Sequence, residues 1–223
     1  MSVRSFEILE TKSSALSDND LIARKVRLLT KEKNVFFINL MASPGAGKTT
    51  FLERLIEGLG EAYKIGVMEA DADGDTDAFR IAEAGAFALQ VHTGGSCHMD
   101  AEMTLKALER MPLDELDLVV LENVGNLVCP AEFDVGSDLK LTLLSLPEGD
   151  DKPLKYPLMF QVTEFIGVSK TDVRPVFDFD DEAFVRNVRA VNSDAPIFFF
   201  SSKTGEGVSE LLDALRERIR AKK

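Results

Sequence analysis

The chain has 223 residues, 45% of them hydrophobic, which suits one α/β domain able to bury a sizeable core. Its 26 basic and 38 acidic side chains leave a net charge of −12, whereas a nucleic-acid binder carries a basic footprint, so no nucleic-acid partner is expected. Two cysteines are too few for a disulfide scaffold, no apolar run reaches membrane-spanning length and Met1–Phe6 holds no apolar leader, so a cytoplasmic setting without a membrane partner is expected.

Residues 1–34 read as a helical extension, with an amphipathic helix over Asn19–Lys31, packed on a nucleotide-hydrolysing domain at 35–223. Val35–Met41 (VFFINLM) is the first buried strand. Thr49–Leu59 follows as a helix, with Phe51, Leu52, Leu55, Ile56 and Leu59 at helical spacing. The join, Ala42-Ser-Pro-Gly-Ala-Gly-Lys48-Thr49-Thr50, is a phosphate-binding loop in the strand-to-helix context such loops require. Gly45, Ala46, Gly47 and Thr50 place backbone on the phosphates at the positive end of a helix. Lys48 would bridge the β- and γ-phosphates, and the Thr49 hydroxyl would ligate Mg²⁺. Ala42 stands where the strict pattern has glycine.

Lys64–Glu69 is the second strand, and a carboxylate-rich run continues from it through Asp71, Asp73, Asp75 and Asp77. Asp71 and Asp77 are the candidates to hold Mg²⁺ or to orient an attacking water. A calcium loop is disfavoured, because no Glu closes it at the required distance. Ala78–Ala84 is a helix, Ala86–Val91 a strand and Met99–Arg110 a helix, with Cys97-His98 at its opening. A helix N-terminus there would lower the thiol pKa. Leu116–Glu122 is an apolar strand ending in a carboxylate, and Gly125 follows. Glu122 is expected to orient the Mg²⁺ water shell, and the Gly125 N–H to sense the γ-phosphate.

Cys129 comes seven residues after Glu122. Cys97, His98 and Cys129 form a soft nitrogen–sulfur set suited to Ni²⁺ or Zn²⁺, with one coordination position open. On spacing alone, two buried structural cysteines are the plainer reading. Because Cys129 lies only four residues past Gly125, departure of the γ-phosphate is expected to displace one thiolate relative to the other two ligands.

Leu139–Leu144 is a strand. Ser145–Leu158, with Pro147, Gly149, Pro153 and Pro157, reads as an exposed loop. Glu164–Ser169 is the next strand, and Ser169-Lys170-Thr171-Asp172 follows its end. The Asp172 carboxylate would accept both N1–H and the exocyclic amine of guanine, an edge adenine does not offer. Lys170 accompanies it, and Ser169 stands where such motifs usually have Asn. After a helix at Asp181–Asn192, the strand Ile197–Phe200 runs into Ser201-Ser202-Lys203, whose backbone can present N–H to the guanine carbonyl. Val208–Arg220 is the last helix. Apolar strands alternating with helices predict an α/β fold of the P-loop NTPase type, a mostly parallel sheet with helices on both faces.

Several blocks together resemble the hydrogenase nickel-incorporation GTPases of the HypB type. They are Ser43–Thr50, Asp77-Ala-Phe-Arg80, Thr93-Gly-Gly-Ser-Cys-His-Met-Asp-Ala101, Glu122-Asn-Val-Gly-Asn-Leu-Val-Cys-Pro-Ala-Glu-Phe-Asp134 and Glu148-Gly-Asp-Asp-Lys-Pro-Leu-Lys-Tyr-Pro-Leu-Met-Phe160. The resemblance covers the chain from Asn19 onward. It implies a metallochaperone that binds GTP and GDP with Mg²⁺ and forms a homodimer when GTP is bound. It further implies a nickel-maturation partner protein and a [NiFe]-hydrogenase large subunit as acceptor, and it makes Cys97, His98 and Cys129 the metal ligands. Many such proteins carry an N-terminal Cys-x-x-Cys-type motif or a His-rich stretch. This sequence has neither, its only histidines being His92 and His98, so a separate protein is expected to supply the metal. Two alternatives stand beside this reading: a urease-type accessory GTPase, whose Cys-Pro-His motif is absent here, and a nucleotide-gated binding module whose hydrolysis is incidental.

Overall fold

The computed structural model describes residues 11–71 and 76–222. Ala72, Asp73, Gly74 and Asp75, and residues 1–10 of the N-terminal extension, lie outside the described residues. The described elements run α1 (Thr11–Glu32), β1 (Phe36–Ala42), α2 (Lys48–Leu59), β2 (Ile65–Asp71), α3 (Thr76–Glu83), β3 (Phe87–His92), α4 (Ala101–Leu108), β4 (Leu118–Glu122) and α5 (Cys129–Glu132). They continue with β5 (Leu139–Ser145), α6 (Lys152–Lys155), α7 (Pro157–Val162), β6 (Phe165–Ser169), α8 (Asp181–Val191), β7 (Ile197–Phe199) and α9 (Val208–Lys222).

The strands form one sheet in the order β3-β2-β4-β1-β5-β6-β7, and every pairing is parallel. β1 lies at its centre, with Leu40 beside Glu122 of β4 and Ala42 beside Leu143 of β5. A parallel strand covered on both faces must be apolar at every position, which is why β1 reads as an unbroken apolar run apart from Asn39. Its alternate residues serve opposite layers. Phe36, Ile38, Leu40 and Ala42 pack with α2 and α9, through Phe51, Leu55, Leu211 and Leu215. Phe37 faces the other side, with Val26 of α1 and Leu108 of α4. Met41 joins a third cluster with Leu144, Phe160 and Phe184 beneath α7 and α8.

α1 begins eight residues earlier than its apolar periodicity indicated and ends where Asn34 takes a left-handed conformation (φ 55°). There the Val35 N–H turns back to Thr30 O at 2.9 Å, a helix stop that asparagine tolerates. Asn19 fastens α1 to the body, donating to Asp134 O at 2.8 Å and accepting from Ala101 N–H at 2.9 Å. On the far side, Lys222 of α9 donates to Val35 O (2.8 Å) and pairs with Asp138 (2.5 Å), so α9 is clasped to the entrance of β1.

Two sequence expectations are corrected. Ser145–Leu158 is not an exposed loop: Leu146–Glu148 is a 3-10 turn, α6 and the start of α7 follow, and Ser145, Leu146 and Pro153 are buried. Each proline there occupies a first or second helical position, where its missing N–H costs nothing. The helix expected from Met99 starts at Ala101 instead. Asp100 caps it by accepting from Met103 N–H at 2.8 Å, and it ends at Leu108.

Candidate nucleotide and metal site

The carboxyl ends of the parallel strands carry all the candidate residues, the side on which such sheets bind ligands. Gly45 and Gly47 have φ of 74° and 92°, the left-handed region that lets the loop turn its amides toward the start of α2. Glu122, at the end of β4, lies beside this loop. Its Oε1 is 3.1 Å from Thr49 Oγ1 and 3.7 Å from Lys48 Nζ, with all three side chains buried or nearly so. Gly125 presses on the same loop: a methyl group there would stand 2.9 Å from Pro44 Cα and 3.0 Å from its nitrogen. A cleft of about 290 Å³ opens between these groups, lined by Pro44, Lys48, Asp71, Asp77, Glu122 and Gly125. Asp71 is exposed at the end of β2, while Asp77 pairs with Arg80 at 3.1 Å.

Glu69 also lines this cleft and was not among the residues singled out from the sequence. It sits in register with Glu122 on the adjacent strand, and both side chains are buried. Burial, reinforced by the charge of Glu122, pushes the Glu69 carboxyl up to about 10; burial raises Glu122 too, against the pull of Lys48. Raised so far by burial beside Glu122, the Glu69 carboxyl favours its protonated form, which can donate to the Glu122 carboxylate. Glu69 Oε1 and Glu122 Oε2 meet no other donor among the described residues. A buried carboxylate oxygen beside a threonine hydroxyl is an oxygen-rich setting that fits a hard divalent cation. The signal for Glu69 was present in the sequence as a lone carboxylate closing an apolar strand.

A second cavity, of about 440 Å³, lies across the phosphate loop and is lined by Ala46, Gly47, Thr50, Lys170, Asp172 and Lys203 among others. Lys170, itself left-handed at φ 61°, donates to Gly45 O at 2.6 Å. The Ser201 hydroxyl donates to Asp172 Oδ1 at 2.6 Å and fixes the carboxylate. Ser169, where Asn was expected, donates through its hydroxyl to Ala46 O at 2.6 Å, so it ties β6 directly to the phosphate loop. Arg54 of α2 holds the carbonyls of Ser202 and Lys203, at 2.8 and 3.4 Å. Thus α2 and the Ser201–Lys203 turn are joined at the rim of this cavity.

Cys97, His98 and Cys129 come together, with one ligand atom of each within 4.8 Å of the others. The two sulfurs are 2.9 Å apart, and Cys97 Sγ is 3.6 Å from His98 Nδ1. Cys97 is exposed and Cys129 half-buried, which corrects the reading of two buried structural cysteines. The helix expected to open at Cys97 starts further on. Cys97 and His98 lie before the cap of α4, and the Cys129 thiol is pushed up by its hydrogen bond to Cys97. The His98 ring stacks on Phe133 with centroids 4.1 Å apart. Partial burial lowers its pKa, favouring the neutral imidazole that ligates metal. Two thiols and a neutral imidazole suit Ni²⁺ or Zn²⁺.

Comparison with known proteins sets the chain beside named relatives. The model of the CobW/HypB/UreG nucleotide-binding domain matches residues 36–199. Hydrogenase maturation factor HypB of Azotobacter vinelandii is 42% identical, covering 96% of this chain and 76% of its own length. Hydrogenase/urease maturation factor HypB of Helicobacter pylori is 37% identical, over 92% of this chain and 86% of its own. The crystal structure of HypB from Helicobacter pylori in complex with nickel superposes with a TM-score of 0.87 at 36% identity, covering 92% of this chain and 96% of that one. The fold is that of a P-loop NTPase.

Proposed function

Because the chain belongs to the CobW/HypB/UreG nucleotide-binding family, among relatives named hydrogenase maturation factor HypB, we propose that it hydrolyses GTP to GDP and phosphate to deliver nickel to a [NiFe]-hydrogenase. The observation that carries the reading is the gathering of Cys97, His98 and Cys129 on turns beside β4, whose end meets the phosphate loop. In this reading, residues 35–223 are the hydrolysing unit and 1–34 an extension packed on it. Gly45, Ala46, Gly47, Lys48, Thr49 and Thr50 bind the phosphates, and Gly125 senses the γ-phosphate. Lys170, Asp172 and the Ser201–Lys203 backbone take the guanine base. Thr49 and Glu122 are the residues that would hold Mg²⁺, which when bound supplies positive charge to the phosphate oxygens. Asp71 and Asp77 face the cleft from the side open to solvent and orient the attacking water, with Lys48 stabilising the charge that develops on the phosphates.

The three soft ligands would hold Ni²⁺ or Zn²⁺ as cargo, received from a nickel-maturation partner protein and passed to the hydrogenase large subunit. The name of the Helicobacter pylori relative favours a second reading in which urease also receives the metal. Phosphate release from GTP and from ATP, in wild type and in Lys48→Ala, tests the enzyme. GTP turnover is expected in wild type and none in a folded Lys48→Ala. Equal turnover of ATP would remove the guanine assignment, and an active Lys48→Ala would remove the site.

A further inference from the structure

Two asparagines, Asn123 and Asn126, follow Glu122, and Asn123 borders the cleft beside Lys48. Asn123 is fully buried. Its main-chain N–H donates to Leu40 O at 3.0 Å and its amide nitrogen to Asn39 Oδ1 at 3.1 Å, both on β1. Its Oδ1 accepts from Met99 N–H at 3.0 Å, and Met99 directly follows His98. Asn126 is anchored by its own N–H on Ala42 O, at the start of the phosphate loop, at 2.8 Å. Its Oδ1 accepts from Val128 N–H at 2.7 Å and Cys129 N–H at 3.4 Å, while its amide nitrogen donates to the Cys97 carbonyl at 3.4 Å.

We propose that Asn123 and Asn126 are the positioning residues of the metal site, hanging both thiol-bearing turns and the imidazole from β1 and its phosphate loop. The inference rests on the reading of Cys97, His98 and Cys129 as metal ligands.

The turn at 93–98 shows why such hangers matter. Its other bonds to main chain are internal, Ser96 N–H and the Thr93 hydroxyl spanning the turn and the Ser96 hydroxyl reaching His98 O, while the ligand side chains themselves meet Cys129 and Phe133. The Thr93 N–H on Asp71 O holds only its start. Its far end, where the ligands are, is fixed through Asn123 and Asn126. Groups that orient metal ligands from behind typically set affinity by ten- to a hundredfold, because a ligand free to swing must be ordered when the metal binds. Asn126 joins Ala42 O, at the start of the phosphate loop, to the main chain of both Cys97 and Cys129, so a displacement of Ala42 is passed to both thiol-bearing residues through one side chain.

The test is Ni²⁺ titration of the full chain with GDP bound, read by affinity and by the thiolate-to-nickel charge-transfer absorption. Wild type, Cys129→Ala, Asn126→Ala and Asn126→Ser are compared. Asn126 is half-buried, and its anchoring N–H survives substitution, so Asn126→Ala is expected to keep its GDP affinity within twofold of wild type. Its Ni²⁺ affinity should fall by about tenfold or more, with an altered absorption band. Asn126→Ser keeps an acceptor for Val128 N–H and should recover part of both. Unchanged affinity and absorption in Asn126→Ala, alongside loss of binding in Cys129→Ala, would overturn the positioning role and leave the ligand reading intact. Ni²⁺ binding indifferent to Cys129→Ala would overturn the ligand reading, and this inference with it.

Discussion

Asp172 owes its aim to Ser201, whose hydroxyl occupies one carboxylate oxygen and leaves the rest of the group to face the cavity. Asp172→Asn presents an amide donor where guanine also donates. The expected loss of discrimination between GDP and ADP is about 2–4 kcal/mol, the scale of charged hydrogen bonds left unmade. Calorimetry with the two nucleotides on both proteins measures it, and equal wild-type affinities would refute the role. Glu69 makes a different claim, on stability. Its carboxyl rises on folding from 4.5 to about 10 in the ligand-free protein. A group raised in this way favours the fold fully below about 4.5, and that contribution is lost as the pH climbs toward 10. Glu69→Gln keeps a neutral donor toward Glu122 and removes the titration. In metal- and nucleotide-free protein, its melting temperature should exceed that of wild type by a margin that widens from pH 5 to pH 9. A margin independent of pH would show that Glu69 is not held neutral.

At the scale of elements, the seven strands were legible because an apolar run bounded by turn residues leaves few alternatives. Boundaries moved by a residue or two, as with β4, expected from Leu116 and found from Leu118. The segment after β5 was misread for a physical reason. Four Pro and Gly residues signal turns by composition, but proline at the first positions of a short helix carries the same signature. Burial there is set by packing under α8, which no local pattern records. The phosphate loop, Lys48 and Asp172 were readable by type and spacing. Glu69, Asn123 and Asn126 act across neighbouring strands or between turns, and only the register that aligns β2, β4 and β1 brings them to the site. Ser169 was readable as a departure but not as a bond to Ala46 O, since chain order does not reveal that β6 lies beside the phosphate loop. The contact of Gly125 with Pro44 belongs to this scale too. In Gly125→Ala the new methyl meets backbone, which cannot swing aside, so the phosphate loop must shift. The expected cost is about 1–3 kcal/mol in stability by overpacking. GDP affinity should fall about tenfold, ~1.4 kcal/mol. Thermal melts with GDP calorimetry check both, and wild-type values would mean that the loop yields freely.

For the whole molecule, three ligands leave a tetrahedral site one short, and two chains meeting at Cys97, His98 and Cys129 would complete it. Val128, exposed beside Cys129, gives such a meeting an apolar contact. Light scattering with a non-hydrolysable GTP analogue and Ni²⁺ should report a homodimer, against a monomer with GDP. A monomer at micromolar concentration under both conditions would contradict it. Among the described residues no helix is long and apolar enough to cross a membrane.

The central place of β1 also has a history written into it. β1 is made before either of its neighbours, since β4 and β5 both follow it in the chain while flanking it in the sheet. A ribosome therefore releases the phosphate loop, then both thiols, before β5 has emerged to close the sheet around them. During that interval the cysteines are open to any soft cation, and a metal held by an unfolded chain favours the unfolded state. Nascent copies are expected to fold best where free nickel and zinc are scarce, a consequence of a sheet whose centre is made before its flanks.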